Sequence, residues 1–314
     1  MKMFLSAGGD YNDRMLPFIF DLPETSLVLV DKFEQLPDLK SFLSDSIIVG
    51  IDTERKPDHS RQVAPHPTAL IQIAARTSDG SEKVFLVDIQ TLMIDSFAVI
   101  ELKTIFQNLL ASENCIKLGQ GLVRDLVEIM TSFPALNDCF LEVNALVDTE
   151  SLYRKLQPEA IHMISLKKLV RDYLHLNLIK TEQMSDWSIR PLTFNQMYYA
   201  ANDALCLLRL HDAMVWEIQD KYVLEEEGKD FDVKEIYQSL NMKEQASIIS
   251  QLTEQWKRPS PSKKSKKQKL VSLEKGEERI DSPVTVAASD ASASTVTSVN
   301  SQTENKRKRL KVSI

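Results

Sequence analysis

Two carboxylates, Asp52 and Glu54, close the β-branched run SIIVGIDTE (46–54). At a strand's period of two, both side chains leave on the same face, roughly 7 Å apart along the strand. Two acids ending a buried strand repel each other and lose hydration, a cost that a bound cation removes. A lone Asp-x-Glu is better explained by solvated rim residues. The chain carries a second such pair, Asp148 and Glu150, where Asp148 or Thr149 is placed to cap the helix that follows. The first pair differs in its company. Asp203 interrupts the otherwise apolar or small surroundings YAANDALCLLRLH, with Tyr199 one helical turn before it on the same face. Asp125 lies in GLVRDLVEIM, a helix that should face the sheet. Three elements thus offer four carboxylates and no histidine or cysteine cluster, a hard oxygen donor set for Mg²⁺ or Mn²⁺ rather than zinc. Two such ions about 4 Å apart can activate a water and stabilise the leaving oxygen of a phosphodiester.

The elements that must position these residues follow from hydrophobic period. SLVLV (26–30), SIIVGIDTE (46–54), TALIQIAA (68–75), KVFLVDI (83–89), CIKLGQ (115–120) and NALVD (144–148) read as strands, with SDGS (78–81) a turn. Helical spacing covers residues 32–44, 97–112, 121–130, 165–176 and 192–218, and TESLYRKL begins another helix. A sheet of about five or six strands flanked by helices is an α/β architecture. Residues 1–25 are expected to form an irregular lead-in and 221–256 a charged helical extension.

The composition is that of a globular chain: 43% hydrophobic and 26% charged over 314 residues. Eight glycines exclude collagen-like repeats. Cys115, Cys139 and Cys206 make no CxxC pair and no closed disulfide framework, so reduced, buried thiols in an intracellular protein are expected. No apolar run approaches the roughly 20 residues of a membrane span, and the opening MKMFLSAGGDYNDR is too short for a secretory signal, so no membrane partner is expected. Charge is unevenly distributed. Residues 257–314 carry 14 Lys+Arg against 6 Asp+Glu, whereas the preceding 256 residues carry 24 against 39. The basic clusters 257–269 and 306–311 flank a Ser/Thr/Ala/Val-rich spacer that reads as disordered. Such clusters predict a nuclear import receptor as partner and a nuclear location, the cytoplasm being the runner-up, with a salt-dependent grip on nucleic acid or a solubilising tail as the alternative roles.

The order Asp-x-Glu, Asp, Tyr-x-x-x-Asp resembles the tyrosine-bearing branch of the DEDD superfamily of 3′–5′ exonucleases, the group of ribonuclease D, the Werner-type exonuclease domain and the Mut-7-like proteins. The resemblance runs over about residues 26–220. It rests on VGIDTERKP (49–57), ALIQIA (69–74), FLVDI (85–89), LVRD (122–125), SLKKLVRDYL (165–174) and above all SDWSIRPLTFNQMYYAANDA (185–204). The histidine branch would place His at position 198, where this chain has Tyr198. The resemblance implies a ribonuclease H-like mixed sheet flanked by helices, and two Mg²⁺ or Mn²⁺ ions. It implies that Asp52, Glu54 and Asp203 hold the first ion, that Asp52 bridges to the second, and that Asp125 holds the second through water. Tyr199 would orient the attacking water, and Arg190 would brace the last helix or meet substrate phosphate. The implied reaction releases nucleoside 5′-monophosphates from the 3′ ends of RNA or single-stranded DNA.

Two departures stand out. Arg55 replaces the Trp that often follows Asp-x-Glu in this family, exchanging a stacking surface for a candidate phosphate contact. Gln120 stands near the place of an Asn that often precedes the third acid. The four carboxylates and the tyrosine are intact. The rival readings are a pseudo-exonuclease serving as a nucleic-acid-binding adaptor and a protein-binding scaffold.

Overall fold

In the computed structural model, the structure describes residues 15–58, 65–160 and 162–225. The basic tail (257–314) and all but the first five residues of the expected extension (221–256) lie outside the described residues, as does most of the lead-in. Six strands form one mixed sheet: β1 (Leu27–Val30), β2 (Ser46–Arg55), β3 (Thr68–Thr77), β4 (Glu82–Val87), β5 (Ile116–Gly119) and β6 (Leu146–Asp148). Their spatial order is β1-β4-β3-β2-β5-β6. The antiparallel β2–β3–β4 meander forms the middle, with β1 parallel to β4 on one edge and β5 and β6 added in parallel on the other. Helices cover both faces, which is why the central strands read as near-continuous apolar runs rather than alternating ones.

One face packs under α1 (Leu36–Ser44), α3 (Ser96–Ala111), α4 (Leu122–Ser132) and the 3₁₀ segment Pro134–Phe140. The short α2 (Ile89–Leu92) follows β4 and adds Ile89 and Leu92 to the same core. The other face packs under α5 (Thr149–Leu156), α6 (Leu166–Leu174) and the 32-residue α7 (Phe194–Glu225). The last helix continues beyond the expected domain end at residue 220. Cys115, Cys139 and Cys206 are buried and free. No described helix is long and apolar enough to cross a membrane.

The alternation along β2 decides where its acids point. Val49 and Ile51 belong to the core under α3 and α4, whereas Ile48 belongs to the core under α7. By that period Gly50, Asp52 and Glu54 face α7, and Thr53 faces α4. A register shift between Glu54 and Arg55 ends the regular pairing with β3. Such irregularities re-aim the side chains beyond them.

Candidate active site

The end of β2, the first turn of α4 and the first third of α7 meet around a cleft of about 500 Å³. Asp52, Glu54, Asp125, Tyr199 and Asp203 all line it. Carboxylate oxygens of Asp52, Glu54 and Asp203 lie within 4.8 Å of one another, a spacing that one cation can bridge. Asp125 stands outside that group because it arrives on α4, from the opposite face of the sheet. There the Thr53 hydroxyl donates to its carboxylate. Two strand-borne acids, one acid from α7 and one from across the strand end thus share the cleft.

Electrostatics make this an unfavourable place for uncompensated anions. Burial, and then the Asp203 charge, pushes Asp52 up to about 7. Burial raises Glu54 well above an ordinary glutamate, with Asp52 and Asp203 adding to it. Asp125 is raised well above its usual range by burial and then by Asp52. Asp203 is raised by burial, with Lys180 opposing. The Tyr199 hydroxyl faces Asp203 and is held protonated by burial and by the Asp203 and Glu54 charges. Its ring packs on Trp187, centroids 5.9 Å apart.

Lys180 is the residue that sequence reasoning missed. Its ammonium donates to Asp203 Oδ2 at 2.7 Å and stands 5.3 Å from the centre of the Tyr199 ring. It comes from the segment between α6 and α7, where no period marks it. The other oxygen, Asp203 Oδ1, is buried and has no hydrogen-bond partner. A buried carboxylate oxygen without a donor is expensive unless a ligand completes it. Together with the three clustered carboxylates, a group that includes no histidine or cysteine among the described residues, this orphaned atom fits a hard divalent cation.

The remaining expected site residues divide. Arg55 lines the cleft, but its guanidinium donates to Asp58 Oδ2 at 2.6 Å and its Nε lies 3.5 Å from Glu128. Arg190 is not among the cleft-lining residues. It grips Asp88 through two bonds of 2.5 and 2.7 Å and donates to the carbonyls of Trp187, Ile189 and Ala69. These contacts tie the segment ahead of α7 to β3 and to the end of β4. Gln120 lines the cleft, where it donates to Ile164 O at 2.7 Å and accepts from Thr149. Asp148 accepts from the backbone N–H of Glu150 at 2.8 Å and of Gly121 at 2.6 Å, serving the starts of α5 and α4. Glu150 pairs with Arg154 at 2.6 Å.

A mixed sheet carrying acids at the end of a central strand and on the last helix defines a ribonuclease H-like exonuclease fold. The sequence model of the 3′–5′ exonuclease family matches residues 27–219, and the chain belongs to that family. Within it the tyrosine at position 199 places the chain in the DEDDy branch. A human exonuclease mut-7 homolog is 30% identical over 220 residues, covering 66% of this chain and 24% of that protein. Exosome complex component 10 of Mus musculus is 28% identical over 198 residues, covering 63% of this chain and 20% of that one. The chain therefore spans a quarter or less of the length of these relatives. Among solved structures, the Aedes aegypti Nibbler EXO domain superposes with a TM-score of 0.57 at 24% identity, covering 71% of this chain and 98% of that domain. The Trypanosoma brucei RNase D–GMP complex superposes at 0.53 with 17% identity, covering 71% and 62%. At these identities the two superpositions speak for the fold.

Proposed function

We propose that this chain is an active, divalent-metal-dependent 3′–5′ exonuclease that removes nucleoside 5′-monophosphates from nucleic-acid 3′ ends. The observation that carries this reading is the convergence of Asp52, Glu54 and Asp203 within 4.8 Å, with Asp203 Oδ1 left without a partner. These three residues would hold one Mg²⁺ or Mn²⁺ ion, and Asp52 with Asp125 a second. Bound there, the ions supply Lewis acidity for phosphodiester hydrolysis and lower the pKa of water. The chain's own part is positional. Tyr199, kept protonated, presents its hydroxyl beside Asp203, where it can hold an attacking water in line. Lys180 fixes one Asp203 oxygen and leaves the other for ligation.

A second reading, a nucleic-acid-binding adaptor without hydrolysis, is favoured by the Lys180–Asp203 ion pair, which supplies a cation from within the chain. One experiment separates the two. Oligonucleotides with free or blocked 3′ ends are incubated with Mg²⁺ or Mn²⁺, and the products are resolved by length. Stepwise shortening from a free 3′ end that stops on chelation, on 3′ blocking and in Asp52→Asn or Asp203→Asn supports the exonuclease. Binding without cleavage in the unmodified protein supports the adaptor.

A further inference from the structure

The three cations lining the cleft are not equivalent. Lys180 is paired with Asp203, and Arg55 with Asp58 and, more loosely, Glu128. Arg124 lines the same cleft, is exposed, and makes no side-chain hydrogen bond or ion pair among the described residues. Its place on α4 makes that notable. Glu128, four residues on, is the neighbour that a helix normally offers such a side chain. Here the Glu128 carboxylate turns to Arg55 instead. The first turn of a helix also disfavours a cation, because the macrodipole is positive there. Helix stability therefore does not account for Arg124. Its site, one residue before Asp125 and beside an acid-lined cleft, points to an anionic ligand.

We propose that Arg124 binds a backbone phosphate of the nucleic-acid strand next to the phosphate being cleaved, and that Arg55 is a positioning residue that holds Glu128 away from it. The proposal rests on the exonuclease reading for the location of the scissile bond. Arg55, engaged by two carboxylates, acts on the substrate through Glu128. Removing Arg55 releases Glu128 to neutralise Arg124 one turn away.

The test uses the full chain and a fluorescent single-stranded oligonucleotide in the presence of chelator, so that binding is read by anisotropy without turnover. Arg124→Gln is expected to raise Kd about 5- to 20-fold, the effect of one charge-assisted contact. It should also flatten the slope of log Kd against log salt by about 0.7, one phosphate's share for a single strand. Arg124→Lys should recover part of the affinity. Arg55→Gln should weaken binding by a similar factor. Adding Glu128→Gln should restore binding in the Arg55 variant and leave the Arg124 variant unrescued. An Arg124→Gln protein with unchanged Kd and salt slope overturns the phosphate contact, and an Arg55 defect that Glu128→Gln does not relieve overturns the positioning role. Hydrolysis of the p-nitrophenyl ester of thymidine 5′-monophosphate by the unmodified protein, which involves no neighbouring phosphate, tests the exonuclease reading separately. Failure there leaves the binding measurements to decide on Arg124.

Discussion

Gly50 links the sheet to the site through a single missing methyl group. It lies in β2 two residues before Asp52, buried beneath α7. A Cβ built on it would stand 2.7 Å from the carbonyl oxygen of Ala204 and 3.0 Å from Leu207 Cβ. The nearest obstacle is helix backbone, which cannot swing aside. Relief to an ordinary contact requires α7 to lift by about 0.7 Å. Overpacking of this kind costs about 1–3 kcal/mol. The larger consequence is geometric. Ala204 follows Asp203, so the lift draws that carboxylate away from Asp52 and Glu54, and cation sites tolerate only about 0.2 Å of change in ligand distance. Gly50→Ala is therefore expected to lose about 1–3 kcal/mol in urea unfolding and to weaken Mn²⁺ binding in calorimetric titration by an order of magnitude or more. Gly80→Ala is the matched control. Its φ of +86° strains an alanine, but nothing lies within 4 Å of the added methyl, so stability should fall without any change in Mn²⁺ affinity. A Gly50→Ala protein that is destabilised yet binds Mn²⁺ normally would refute the claim that this close approach sets the carboxylate spacing.

Further expectations concern the same charges. Lys180→Met leaves the buried Asp203 carboxylate unpaired, so the metal-free protein should lose up to about 3–5 kcal/mol at neutral pH, with Mn²⁺ restoring much of it; equal losses with and without metal would contradict this. Asp52 is raised to about 7 in the native state, so the unfolded chain releases its proton first, and this group's contribution to metal-free stability falls as pH rises from about 4 to 7. Metal binds the deprotonated form, so the Mn²⁺-induced rise in Tm should be larger at pH 8 than at pH 5.5, and a pH-independent rise would count against the carboxylate site. Asp148→Ala removes an acceptor shared by the starts of two helices and should cost about 1–2 kcal/mol without abolishing Mn²⁺ binding. Glu150→Gln should cost less, since its partner Arg154 is largely solvated, and loss of Mn²⁺ binding in a folded Glu150 variant would show that this second acidic pair is the metal site.

The residues most legible in the sequence were those whose relation is local. Asp52 and Glu54 share a face because a strand repeats every two residues, and Tyr199 lies one turn from Asp203 because a helix repeats every 3.6. The six strands and the long last helix were readable for the same reason, through apolar runs and their spacing. The 3₁₀ segment at Pro134–Phe140 and the register shift at Glu54–Arg55 left no periodic mark, and they emerge only when neighbouring elements pack.

What tertiary structure decided was which charges meet. The spacing of four acids could not separate Asp125 from the other three; its approach from α4, on the far face of the sheet, does so. Nothing near Lys180 in the chain foretells Asp203, 23 residues away, as its partner. Nor does the sequence around them pair Arg55 with Asp58 and Glu128, or Arg190 with Asp88, 102 residues distant. Sequence specifies the donors and acceptors along the chain. The pairing of a long, flexible charged side chain depends on which carboxylate the folded backbone brings within reach, and that is fixed only when the sheet and its two helical layers have closed around the strand ends.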